Sequence, residues 1–491
     1  MQKYLPITLL ILILFLGAFF RLYRISEYMT FLGDEGRDVL VVKRILVDHK
    51  FTLLGPTTSV GSMYMGPIYY YFTAPFLWIT NLDPVGPAIM VALFGIATIG
   101  LLYYTGAGFF HPTVGLVAAF LYAISPLPIS YGKSSWNPNI VPFFALLIIF
   151  SLLQVVVRKK YGWFPMAGAS LGILFQLHYV TFMFIPILLV CLSIIRFRIP
   201  IKHYFASIFA LILTYSPFLL FELRHQFVNT QAVIRFVTEQ KRDQSIPFIL
   251  SFWQTISDVF VRLFWRLVVL GSAELTKIFI LILLVVLFFY WKKIGRNNTG
   301  LKIILSWWIV GILSFGLYRG VIYDYYFGSL FTLPYLLTGI LIYYLWSYKK
   351  VTKTIAVIIL LTLTYFNLKN SPLRIEPNNM LKNTQTISRF VFEKAENKPY
   401  NFALIAGRNS DHAYRYFLEV WGNKPEVLEN EVNDPQRKSV TDRLLVICEE
   451  KVCQPLGHPL WEIAGFGRAE IVGEWQVSTA KVFLLEHYNK S

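Results

Sequence analysis

Apolar runs recur along this chain, most of them close to the ~20 residues that cross a bilayer as a helix. They cover 5–25, 84–105, 113–131, 139–157, 162–177, 179–196, 203–222, 275–291, 302–319, 327–347 and 352–368, eleven in all. The pair at 162–196 is short and nearly continuous. With 56% hydrophobic and 17% aromatic residues, the composition excludes an ordinary soluble protein. The expected fold is an α-helical polytopic membrane protein of about eleven transmembrane helices. The first run is not expected to be a cleaved signal peptide, since it lacks a small-residue cleavage site and Arg21 and Arg24 stand at its end.

A net charge of +17 could point to nucleic acid, but its distribution argues against that. From Lys369 onward 16 basic residues balance 16 acidic ones, so the excess lies in residues 1–368. With the amino terminus in the cytoplasm, the inner loops hold Lys3, Arg158, Lys159, Lys160, Arg196, Arg198, Lys202, Lys292, Lys293, Arg296, Lys302, Lys349, Lys350 and Lys353. No acid falls among them, and the 12 acids of residues 1–368 lie on the other side. The positive-inside rule then fixes a cytoplasmic amino terminus and an extracytoplasmic tail, in a multi-pass protein of the cell membrane. The outer loop 223–274 carries bases of its own, which weakens the rule locally without reversing it.

The chain divides into a transmembrane domain, 1–368, and a soluble extracytoplasmic domain, 369–491. In the first outer loop, 26–83, residues 34–50 read as an amphipathic helix. Val39, Leu40, Val42, Ile45 and Leu46 form one side, with Arg37, Lys43 and Arg44 elsewhere. Pro67 opens an aromatic helix through Tyr69, Tyr70 and Tyr71 to Trp78, which suits the membrane interface. The second outer loop, 223–274, carries Arg262 and Arg266 one turn apart on another interfacial stretch. In the tail, Phe402–Ile405, Leu444–Ile447 and Val482–Leu485 read as strands and Asp411–Trp421 as a helix, giving a small α/β domain. Cys191 reads as packing. Cys448 and Cys453 form either a local disulfide or lone thiols.

Chemistry is expected first at Gly33-Asp34-Glu35-Gly36, about ten residues past the first span. A carboxylate at a membrane face is costly unless solvated or paired, and partial burial there could tune a general base. The plainer reading is that Asp34 and Glu35 begin a helix and favour its dipole. Other polar and aromatic residues stand at the outer span ends. They are Tyr131 to Asn139, Gln176 to Tyr179, Glu222 to His225 and Tyr323 to Tyr326. Each alone reads as a snorkelling base or an aromatic belt. Together they would place Lys133, His178, Arg224 and His225 around an anion at headgroup level, a lipid phosphate being the natural one. His412 and His458 read as structural or surface residues.

At these residues the chain resembles the GT-C glycosyltransferases, in the protein O-mannosyltransferase-like branch that includes the lipid A aminoarabinose transferases. The resemblance rests on Asp34-Glu35 after the first span, Gly66-Pro67-Ile68-Tyr69-Tyr70 and Trp136-Asn137-Pro138-Asn139. It also rests on the order of spans, and covers about residues 5–368. It implies inverting transfer of one sugar from a polyprenyl monophosphate to an acceptor hydroxyl, with Asp34 acting on the acceptor and Glu35 orienting or binding it. Several relatives carry a lysine before the proline-aromatic motif, where this chain reads Tyr64-Met65-Gly66, and some place an arginine where Lys133 stands. The tail does not resemble the extra domains of the protein-mannosylating branch.

The candidate substrate-binding set is Arg37, Tyr64, Tyr69, Tyr70, Lys133, Asn137, His178, Tyr179, Arg224, His225, Tyr325 and Tyr326, with Asp34 and Glu35 catalytic. Expected partners are the polyprenyl-phosphate lipid donor, membrane lipids and an acceptor glycan, lipid or protein, with no nucleic acid. A monophosphate leaving group demands no metal and no ligand cluster stands out, although Asp34 with Glu35 could hold one divalent ion. The rival reading is a transporter or flippase of lipid-linked sugars, which would carry ionisable residues at span midpoints. An oligosaccharide transferase is less favoured, because Trp307-Trp308 sits within a span and is followed by Ile309.

Overall fold

The computed structural model describes residues 4–58, 63–195, 197–239, 247–294, 298–318 and 320–488. Lys3, Arg196 and Arg296 of the expected inner loops lie outside the described residues, as do 240–246 of the second outer loop. The chain forms two compact units. One holds Met1–Tyr23, Phe51–Thr73 and Ala88–Glu376; the other holds Arg24–Lys50, Ala74–Pro87 and Pro377–Ser491. The start of the first outer loop therefore groups with the tail.

In the first unit each of the eleven apolar runs contains a helix. Among the described residues six are long and apolar enough to cross a membrane: Leu5–Leu22, Val85–Phe109, Asn137–Arg158, Ile201–Arg224, Ala273–Lys293 and Lys350–Lys369. Asp324–Leu330 and Leu333–Tyr348 form a further, broken pair bent by 58°. The remaining helices are shorter than their runs, and proline accounts for part of this. Ser125 is extended before Pro126, so Pro112–Ile124 ends there and a second short helix, Pro126–Tyr131, begins.

Burial separates an inner span from outer ones. Asn137–Arg158 is 83% buried, whereas Leu5–Leu22 is 17% and Ile201–Arg224 only 6% buried, leaving most of their apolar surface outward. Close approach comes from small residues, as membrane helices require. Gly168 and Gly172 lie one turn apart on Phe164–Leu177, and a Cβ there would sit 2.1 Å from the Ser207 carbonyl oxygen and 2.2 Å from Thr214 Oγ1 of Ile201–Arg224.

In the second unit, β1 (Asn401–Ile405), β2 (Arg443–Cys448), β3 (Ala469–Val477) and β4 (Ala480–His487) form one sheet in the order β1-β2-β4-β3. β1 runs parallel to β2, and the other pairs are antiparallel. β2 is an unbroken apolar run because both faces are covered. Leu445 and Ile447 meet Ile387 and Val391 of Met380–Lys394 on one side, and Leu444 and Val446 meet Ile463 and Phe466 on the other. Cys448 and Cys453 form a disulfide at the end of β2, and Cys191 is free and buried.

Candidate active site

The acid turn belongs to the second unit. Leu32 is extended, and Gly33–Val47 is helical from its first residue. Gly36 N donates to the Leu32 carbonyl at 2.8 Å, while Leu32 N donates back to Glu35 Oε2 at 3.1 Å. The bond from Leu32 N, the Glu half of a capping box, turns Glu35 inward, and burial pushes its carboxyl up to about 7. Asp34 points the other way. Its side chain is 54% exposed and accepts from Arg37 Nη1 at 2.9 Å, and Arg37 also binds Asp38 at 2.9 Å. Of the two acids it is Glu35 that is buried. The two carboxyls have different partners, Leu32 N for Glu35 and Arg37 for Asp34. Among the described residues no group of three or more His, Cys, Asp or Glu is placed to hold a metal ion.

The helix lies on the tail's His412–Val420 helix through its other face. Phe31 packs on Tyr416 and Phe417, and Lys43 and Arg44 reach Glu419 at 3.8 and 3.5 Å. At the opposite end Gly33 N donates to Asn409 Oδ1 at 2.9 Å. Ser410 Oγ and His412 Nδ1 lie 2.8 Å apart beside this turn, and the charges of Asp411, Arg37, Arg415 and Asp34 all act on the His412 ring. Sequence reasoning set His412 aside and did not single out Asn409. Only the fold brings residue 409 to residue 33.

The first unit gathers a second group. Tyr325 and Tyr326 begin the bent pair, and Trp136 meets Tyr325 edge-on at 4.5 Å. His178 lies 4.9 Å from Tyr326 and 5.7 Å from Tyr325, ring to ring. Asn137 donates to the Leu177 carbonyl, immediately before His178. His178 caps Tyr179–Met183 by accepting from Val180 N at 3.2 Å on Nδ1, which leaves Nε2 to carry the ring proton. Burial pushes His178 down to about 4, so at neutral pH it is an uncharged donor and not the expected cation.

Tyr64 and Tyr179 also meet. Tyr179 OH donates to the Tyr64 carbonyl, Asn229 Nδ2 donates to Tyr179 OH at 2.6 Å, and Tyr64 N donates to Asn229 Oδ1 at 2.6 Å. Glu222 holds Asn229 by accepting its N–H at 3.1 Å. Neither Asn229 nor Glu222 was an expected site residue. Tyr69 bonds Ser135 at 2.8 Å, and Tyr70 is buried.

The expected cations are dispersed. Lys133 is 1% exposed and donates to the Tyr23 carbonyl at 2.6 Å; burial, then the charge of Arg21, lower it to about 8. Arg224 is exposed, and His225 stacks on Phe221 at 4.1 Å. Among the described residues no hydrogen bond or ring contact joins these two to the His178 group. Two cations that the sequence left without a site role have defined partners. Arg21 is buried against the carbonyls of Gly17, Tyr122 and Ala123, and Arg266 pairs with Asp324 at 2.7 Å, next to Tyr325.

Comparison with known proteins bears on the fold. Residues 65–221 match the family model described as dolichyl-phosphate-mannose-protein mannosyltransferase. That stretch contains the Gly66–Tyr70 and Trp136–Asn139 motifs and His178, and excludes Asp34. No curated protein matches in sequence. Among solved structures, ArnT from Cupriavidus metallidurans in the apo state aligns with a TM-score of 0.64 at 12% identity, covering 99% of this chain and 98% of that one. The same protein bound to undecaprenyl phosphate aligns at 0.61 and 12% identity, covering 98% of each chain. The oligosaccharyltransferase AglB from Archaeoglobus fulgidus, in complex with an inhibitory peptide and a dolichol-phosphate, aligns at 0.55 and 12% identity, over 91% of this chain and 69% of that one. The chain has the GT-C glycosyltransferase fold and is a multi-pass membrane protein, with a small sheet domain at its carboxyl end.

Proposed function

We propose that this chain moves a sugar from a polyprenyl-phosphate donor to an acceptor hydroxyl on the outer face of the membrane, with inversion and with Asp34 as general base. The observation that carries the reading is the split at the acid turn. Glu35 is buried and spent on a cap, while the neighbouring Asp34 carboxylate stays open to solvent at the start of a helix in a GT-C fold. Asp34 takes the acceptor O–H proton as the new C–O bond forms at the anomeric carbon. The bond from that carbon to the phosphate oxygen breaks, and its electron pair leaves with the polyprenyl phosphate. Arg37, one turn on, holds the carboxylate in place and contributes positive charge beside it. On the donor's side, His178 offers an uncharged Nε2–H, and Tyr325 and Tyr326 provide aromatic faces for the sugar or lipid. Lys133, with its charge held against the Tyr23 carbonyl, and the exposed Arg224 are candidates to neutralise the departing phosphate.

The test is release of polyprenyl phosphate from a labelled lipid-linked sugar by purified protein in the presence of acceptor, a reaction that a flippase does not perform. Asp34→Asn is expected to abolish release while the variant remains folded in membranes. Turnover at the unmodified rate in that variant would remove Asp34 from the mechanism.

A further inference from the structure

Within the second unit, one side chain of the tail touches the backbone at the acid turn and is itself held from behind. Asn409 Oδ1 accepts from Gly33 N and from Ser410 N, both at 2.9 Å. Its Nδ2 donates to both carboxylate oxygens of Glu449, at 2.8 and 3.1 Å. Glu449 Oε1 also accepts from Tyr414 OH at 2.6 Å. Glu449 stands directly after β2, its N–H donates to the Ile405 carbonyl at 3.0 Å, and it lies inside the loop that the Cys448–Cys453 disulfide closes. A carboxylate accepts and cannot donate, so it forces the amide nitrogen of Asn409 toward itself and the oxygen toward Gly33. The amide therefore has one satisfactory orientation.

The space at the turn is equally restricted. A Cβ on Gly33 would lie 2.0 Å from Ser410 Oγ, and one on Gly36 would lie 2.3 Å from Ala413 N. Asp34 sits between these two points of contact, so the backbone that carries its carboxylate can move little unless the tail moves with it.

We propose that Asn409 is a positioning residue for Asp34, and that Glu449 sets its orientation. The soluble domain then holds the turn Leu32–Gly36 so that the base points one way. This rests on the reading of Asp34 as the base.

The test uses the full chain in nanodiscs, with donor and acceptor kinetics and amide hydrogen exchange over residues 33–37. Asn409→Asp keeps an oxygen toward Gly33 but sets a second negative charge against Glu449. It is expected to lower kcat at least about ten-fold, the scale at which small misplacements act, leaving the donor KM unchanged and speeding exchange at 33–37. Adding Glu449→Gln reverses the polarity of the contact, with the new amide donating to the new carboxylate, and is expected to restore most of kcat and of the exchange protection. Asn409→Ala serves if Asn409→Asp does not fold, with the same expected loss and faster exchange. Folded variants with unchanged kcat and unchanged exchange overturn the proposal, as does a loss that Glu449→Gln does not relieve. Asp34→Asn is run alongside. If that variant turns over normally the base assignment fails by itself, while the exchange data still judge whether Asn409 holds the turn.

Discussion

Asp34 and Glu35 are adjacent acids with opposite surroundings, and the difference has a measurable pH signature. Burial raises Glu35 to about 7 from its usual 4.5, so between those values the folded state holds a proton that the unfolded state has released. Stability of the turn is therefore fully present below about 4.5, falls as pH rises toward 7, and levels off above it, by up to about 3 kcal/mol in all. Amide exchange at Leu32–Gly36 should accelerate from pH 5 to pH 7.5 beyond its intrinsic chemical rate. Glu35→Gln, which keeps the acceptor for Leu32 N without a charge, should remove that excess. An unchanged excess in the glutamine variant would mean that Glu35 is not its source.

At the scale of elements, the Gly33–Val47 helix shows what was legible in the chain and what was not. Its amphipathic pattern marked it as a helix, and Val39, Leu40, Val42 and Ile45 are buried as that pattern requires. Its docking partner was invisible, because contact between residues 33–47 and 409–420 depends on glycines whose role appears only when two backbones meet. Gly36→Ala would push a methyl into the backbone at Ala413, at a typical overpacking cost of about 1–3 kcal/mol. The expected outcome is a lower thermal midpoint of the solubilised chain and easier proteolysis near residue 36, and a variant as stable as the parent would argue against tight docking. In the tail, β1, β2 and β4 were readable as apolar runs. β3 was not, since it is an edge strand with outward Glu470 and Glu474 and a register irregularity between Ile471 and Gly473. Met380–Lys394 was missed for a related reason, its buried stripe being only Leu381, Thr384, Ile387, Ser388 and Val391. Among the site residues, shared placement at span ends put His178, Tyr325 and Tyr326 in one candidate set, but their ring contacts appear only in the fold. The neutrality of His178 did not, because sequence carries no measure of how closely rings enclose it.

At the scale of the whole molecule, the charge-neutral tail depends on a covalent clamp that the basic membrane part lacks. Removing both thiols with Cys448→Ser and Cys453→Ser should cost the tail about 2 kcal/mol, the value for closing so short a loop. Reductant should lower the unfolding temperature of the parent to that of the double variant and leave the latter unmoved. Equal sensitivity of both proteins would show that the clamp is not what reductant affects. The contrast between the enclosed span Asn137–Arg158 and the outward Ile201–Arg224 bears on tolerance to substitution as well as on stability. A helix face turned outward to acyl chains needs oiliness and no particular shape, so one apolar side chain there can stand in for another. An enclosed span must keep each volume matched to its neighbours. Changes of side-chain volume should therefore be tolerated at the rim of the bundle and resisted in its middle, so that very different apolar sequences can build one shape.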